Sequence, residues 1–181
     1  MAILADLPRT IRPSLAVAMC AVVVACVSLS TMHSFSSTDG RFTVTVPDGK
    51  MKASSLAAPG NGAFAGSTIF GFSTPSATGA RFAVLYADAS PGYLIAHGVD
   101  ATLVEAEQTN LASLNGTLVS SVMTTVAGQP ARDDRIAVGE VVYVFRTVFL
   151  GQRMYSISVT GSPSQVDSAD ARVFLDSFTS P

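Results

Sequence analysis

The chain has 181 residues, with 11 Lys and Arg against 13 Asp and Glu, two Cys, two His and no Trp. That length suits one domain plus a leader, and a formal charge of −2 without a basic cluster argues against nucleic-acid binding. Only 13% of residues are charged while Ser number 22 and Thr 16, the composition of a hydroxyl-rich β surface and not of a disordered tail.

Arg9 and Arg12 give the start of the chain a positive character, and Leu15 to Leu29 then runs without a charge. A basic start before a 7–15-residue apolar stretch is the pattern of an export signal. A spanning helix wants ~20 apolar residues, which this run barely approaches. Val23-Val24-Ala25-Cys26 resembles a bacterial lipobox, in which the Cys becomes the lipidated first residue of the mature chain. Three fates therefore stand open for residues 1–30: lipidation at Cys26, ordinary cleavage near Ser30, or an uncleaved signal anchor. Each places the remainder outside the cytoplasm, in the periplasm or on the outer face of a membrane, since the arginines precede the apolar run. No Cys follows Cys26, so thiol chemistry and disulfides are excluded from the body of the chain.

Residues 31–38 read as a polar tether, and 39–181 as a single domain. Arg41 to Val46 alternates with Phe42, Val44 and Val46 on one face, a half-buried strand ended by Pro47-Asp48-Gly49. Lys50 to Gly66 reads as a loop with one short strand near Met51. Ser67 to Ser73 is a second strand, and Arg81 to Ala87 is apolar on both faces, which predicts a strand buried from both sides. Asp100 to Leu114 lacks Gly and Pro, starts at a capping Asp and meets Gly116 beyond its end, the signals of a helix. Strands follow at Leu118–Val126, Arg132–Ala137, Val141–Leu150 and Arg153–Thr160, the last two joined by Gly151-Gln152 as a type II′ hairpin turn. Ser162-Pro163 opens a final helix reaching Asp176, with Val166, Ala169 and Val173 inward and Leu175 or Phe178 closing the core. Runs of strands and helices in this order predict an α+β domain with an antiparallel sheet.

Four short stretches carry a resemblance: Asp39-Gly-Arg-Phe-Thr-Val-Thr-Val-Pro47, Gly128-Gln-Pro-Ala-Arg132, Arg153-Met-Tyr-Ser-Ile157 and Phe174-Leu-Asp-Ser-Phe178. Together they look similar to PsbP-like proteins, and more closely to exported bacterial relatives of unknown function. The resemblance implies an antiparallel sheet sandwiched by helices, an α/β/α sandwich shared with a nuclear Ran-binding protein. It also implies a non-catalytic accessory or binding domain, and it assigns no functional residues.

The chemical motifs are weak by comparison. Gly60-Asn-Gly-Ala-Phe-Ala65 matches a dinucleotide fingerprint in spacing, but the residues around it do not read as strand before and helix after, so a loop is expected. His97 with Ser73 or Ser90 and Asp100 could form a hydrolase triad, yet no nucleophile-elbow motif occurs, and a loop histidine is the simpler reading. Arg132-Asp133-Asp134-Arg135 with Glu140 lacks the spacing of a calcium loop and reads as a charged, solvated strand edge. Glu105 and Glu107 are two apart on a helix and do not share a face. The Asn115-Gly-Thr117 sequon falls at a helix–strand turn. No catalytic residue, cofactor or metal is assigned. The function expected is a non-catalytic accessory or binding module of the cell envelope. Its partner is an unidentified protein or small ligand, with membrane contact only through the N-terminus; a His97 hydrolase and a purely structural envelope protein are the alternatives.

Overall fold

The computed structural model describes residues 31–47 and 50–181, so the leader and Cys26 lie outside the described residues. The described residues form nine strands and four helices in chain order: β1 Met32–Ser37, β2 Phe42–Pro47, β3 Lys52–Ala57, β4 Thr68–Pro75, β5 Arg81–Asp88, α1 Pro91–His97, α2 Val99–Leu114, β6 Thr117–Val126, β7 Gln129–Val138, β8 Val141–Leu150, β9 Arg153–Gly161, α3 Pro163–Val166 and α4 Ala169–Asp176. Seven strands form one antiparallel sheet in the order β3-β4-β5-β9-β8-β7-β6, and β1 pairs with β2 as a separate hairpin. Among the described residues no helix is long and apolar enough to cross a membrane.

The sheet is covered on both sides. On one face, Phe82, Val84 and Tyr86 of β5 lie beside Val159, Ile157 and Tyr155 of β9, and pack against Phe42, Val44 and Val46 of β2 together with Val166, Ala171, Phe174 and Phe178. On the other, Phe149 and Met154 meet Ala63, Ala89, Tyr93, Leu94 and the fully buried Leu103 of α2. One outer layer is thus the α1–α2 pair, and the other combines α3 and α4 with a β hairpin. Phe42 links the hairpin to the sheet, with Phe35, Phe72, Tyr86, Tyr155 and Phe178 around it at centroid distances of 5.8–6.3 Å. Such pairs contribute ~0.5–1.5 kcal/mol each beyond the apolar area they bury.

The β8–β9 hairpin is as expected: Leu150 pairs with Arg153 across Gly151-Gln152, and Gly151 has φ 65° while Gln152 keeps a negative φ. Tyr155, Ile157 and Val159 share the inward face at 2% exposure or less. Asn115 ends α2 in the left-handed conformation at φ 48°.

Several expectations need correction. The tether at 31–38 is strand β1, with Phe35 packed against the core and its backbone paired to β2. Residues 91–97 form α1, opened by Pro91 at its first turn and carrying no buried residue. Gly98, not Asp100, caps α2. The final helix is two helices, because Asp167 leaves helical geometry and the Ser168 hydroxyl accepts a hydrogen bond from the Ala171 N–H to start α4 afresh. That break rotates the buried face onto Ala171 and Phe174, leaving Ala169 exposed and Val173 45% exposed. Finally, Arg132 to Arg135 do not lie on a solvated edge: β7 is an inner strand, and Asp134 is only 2% exposed.

Candidate functional site

The turn between β1 and β2 is fixed to the sheet by the start of β9. Arg153 donates two hydrogen bonds to the Asp88 carboxylate, at 2.6 and 2.8 Å, and a third to the Asp39 backbone carbonyl at 2.8 Å. The Tyr155 hydroxyl donates to the Gly40 carbonyl at 2.7 Å. A side chain at Gly40 would press within 2.8 Å of the Phe42 ring and the Ser37 hydroxyl, so glycine is required by the close approach. The guanidinium of Arg153 also sits 5.0 Å from the Tyr86 ring centroid, in cation–π contact. Hydrogen bonding to Asp88 raises the Arg153 pKa, and the same bond holds the Asp88 carboxyl below its usual value. Burial raises the Tyr86 phenol, with Arg153 opposing it.

Two hollows adjoin at Arg153. The larger, of about 820 Å³, is lined by Arg41, Asp88, Gln129, Gln152 and Tyr155. The smaller, of about 330 Å³, is lined by Asp39, Ser54, Phe70, Phe72 and Tyr86. Phe70 stacks on Tyr86 at 5.3 Å and remains 44% exposed. Arg41 is exposed and makes no ion pair among the described residues. Since Arg153 is neutralised by Asp88, the groups left for a partner are the Arg41 guanidinium, the Phe70 ring and the Asp39 carboxylate.

A second polar cluster lies under α2. Arg132 donates through Nε to Glu107 at 2.8 Å and to Asp134 at 3.2 Å, and its Nη2 also bonds Glu107. The Ser121 oxygen lies 2.6 Å from Glu107 and 2.5 Å from Asp134. Burial pushes the Asp134 carboxyl up; burial also pushes Glu107 up, but hydrogen bonds from Ser121 and Arg132 outweigh it and hold Glu107 below its usual value. Asp134 Oδ2 and Thr147 Oγ1 are buried without a partner among the described residues.

The motif candidates are not brought together. His97 closes α1 and stacks on Tyr93 at 4.1 Å, whereas Ser90 caps the opposite end of that helix and Ser73 pairs with Ala83 in the sheet. Asp100 lies in the first turn of the next helix. The Gly60–Ala65 stretch is a turn-rich loop against α2, followed by a strand and not a helix. Glu105 accepts a hydrogen bond from Tyr93 while Glu107 faces Arg132, on separate sides of α2 as expected.

No protein-family model and no curated protein matches the chain. Among solved structures it is similar to cyanobacterial PsbP from Synechocystis sp. PCC 6803, with 12% identity and a TM-score of 0.55, over 86% of this chain and 96% of that one. The fold is PsbP-like. Weaker likenesses are to a protein of unknown function from Pseudomonas aeruginosa (15% identity, TM-score 0.39, 75% of this chain and 85% of that one) and to a Bacteroides thetaiotaomicron protein (13%, 0.37, 82% and 48%). In this PsbP-like frame three of the four quoted stretches, 39–47, 153–157 and 174–178, meet in space. Asp39 and Gly40 are held by Arg153 and Tyr155, Phe178 stacks on Phe42, and Thr43 and Thr179 exchange backbone hydrogen bonds.

Proposed function

We propose that the chain is a non-catalytic binding module of the cell envelope, exported by residues 1–30 and then released by cleavage near Ser30, retained by an uncleaved anchor, or held by a lipid on Cys26. The observation that carries this reading is the pair of hollows around Arg153. The groups that shape it are already committed to each other, while Phe70 and Arg41 stand exposed at its rim. An exposed ring in one hollow and, in the adjoining one, a guanidinium unpaired among the described residues suit recognition, because aromatic residues and arginine are enriched at interfaces. The partner that fits is a protein or small molecule presenting an apolar group to Phe70, an acidic group to Arg41 and a hydrogen-bond donor to Asp39.

Pull-down of the tagged full chain from solubilised envelope tests this. The expected result is a captured partner whose yield falls at least tenfold with Phe70→Ala combined with Arg41→Glu. Capture that is indifferent to both substitutions, with folding intact, contradicts the reading.

A further inference from the structure

Among the described residues no strand lies beside the β6 edge of the sheet, and its outward hydrogen-bonding groups can be named. Val126 and Gln129 flank the two-residue turn Ala127-Gly128, both at positive φ, and so form a hydrogen-bonded pair closing a type I′ hairpin. The next pair is Thr125 with Pro130, and proline has no N–H to exchange, so this pair is the non-bonded kind. The alternation continues to the bulge between Leu118 and Ser120. Ser120, Val122, Thr124 and Val126 therefore spend their backbone groups on β7. Ser121, Met123 and Thr125 point theirs away from the protein.

We infer that β6 pairs antiparallel with β6 of a second copy of this chain, about a two-fold axis at Met123. The three outward residues are symmetric about Met123, so this register sets Met123 opposite Met123, and Ser121 opposite Thr125 twice. It closes about six N–H···O bonds, two per bonded pair. The strand from Thr117 to Val126 carries no charge, so it meets its own copy without like-charge repulsion, and a charged partner strand finds no complement on it. Val122, 60% exposed, comes to lie beside Thr124 of the second copy as a β-branched pair. The opposite edge, β3, is shorter and carries Lys52. Pairing β6 with itself gives a closed dimer, whereas β6 on β3 would repeat without end.

Sedimentation of the full chain in mild detergent tests the proposal. Thr125→Pro removes only an outward N–H, and proline is tolerated on an edge strand in that position. The wild type is expected to sediment as a dimer with a concentration-dependent melting temperature, and Thr125→Pro as a monomer that still melts cooperatively, at a temperature independent of concentration. In a Cys20→Ser, Cys26→Ser background, Met123→Cys is expected to cross-link to its own copy, the paired Cα atoms lying ~5.5 Å apart, within disulfide range. Ser120→Cys should not cross-link, because the register separates the two positions by about 20 Å. A wild-type monomer up to the solubility limit, growing polymers, a Thr125→Pro dimer, or cross-linking at 120 as efficient as at 123 would each overturn the inference.

Discussion

Replacing Phe178 with alanine lowers the unfolding free energy by about 3–5 kcal/mol, a large part of the ~5–15 kcal/mol that stabilises a typical domain. Phe178 is 6% exposed and lies 5.0 Å from Tyr155 and 6.1 Å from Phe42. Its flanks hold it in place. The Ser177 hydroxyl accepts from the Thr45 N–H at 2.7 Å, and Thr179 exchanges backbone bonds with Thr43. These contacts leave little room for collapse, so the lost ring leaves a cavity between hairpin and sheet. Val173→Ala, at an exposed site on the preceding helix, should change stability by no more than about 0.5 kcal/mol. Denaturant melts of both variants check the contrast. Equal stability of Phe178→Ala and wild type would remove the C-terminal motif from the core.

Arg132→Ala costs about 3–5 kcal/mol, because it leaves Glu107 buried and unpaired. Asp134→Asn behaves in the opposite sense. The Ser121 hydroxyl has one proton and touches two carboxylates, so protonation of Asp134 would relieve the repulsion at its second contact. The fold raises the Asp134 pKa, so its contribution is fully present below the unfolded value of ~3.9 and is lost as pH rises through the folded value. Glu107 has the reverse sign, as do Asp88 and Asp167; their contributions are lost as pH falls through their lowered values. Asparagine mimics the neutral acid. Asp134→Asn should match the wild type in acid and become the more stable of the two as pH rises above about 4. A variant less stable than wild type at neutral pH would show that Asp134 is held charged.

The hairpin strand β2 and the central strand β5 were legible because they alternate or are apolar throughout, whereas the inner position of strand β7 was not, since its Arg-Asp-Asp-Arg run reads as solvated. Phe42-Val44-Val46 and the double-faced Arg81–Ala87 stretch each announce how many sides are covered. Strand β1 was not, since Phe35 is its one large apolar residue on the inward side and Ser37 fills the next such position. Helix α1 has no fully buried residue, so it has no periodic face to detect. The split of the last helix depends on Ser168 as a cap, a residue equally at home on a helix surface. The sites were less legible than the fold. Glu107, Ser121, Arg132 and Asp134 come from three elements and share no spacing, so only the topology joins them. Arg153 and Asp39 are likewise distant in sequence, though both fall within the family-like motifs.

A photoactivatable phenylalanine analogue placed at position 70 of the full chain, expressed in a native-like host, tests the binding reading most directly. Phe70 is exposed at the rim of the Arg153 hollows, and Val173, equally exposed at 45%, lies on α4, whose residues line neither hollow. A discrete cross-linked product from position 70, absent from position 173 and lost when Arg41 is changed to Glu, is the predicted result. No product at 70, or the same products from both positions, would contradict recognition through this cleft.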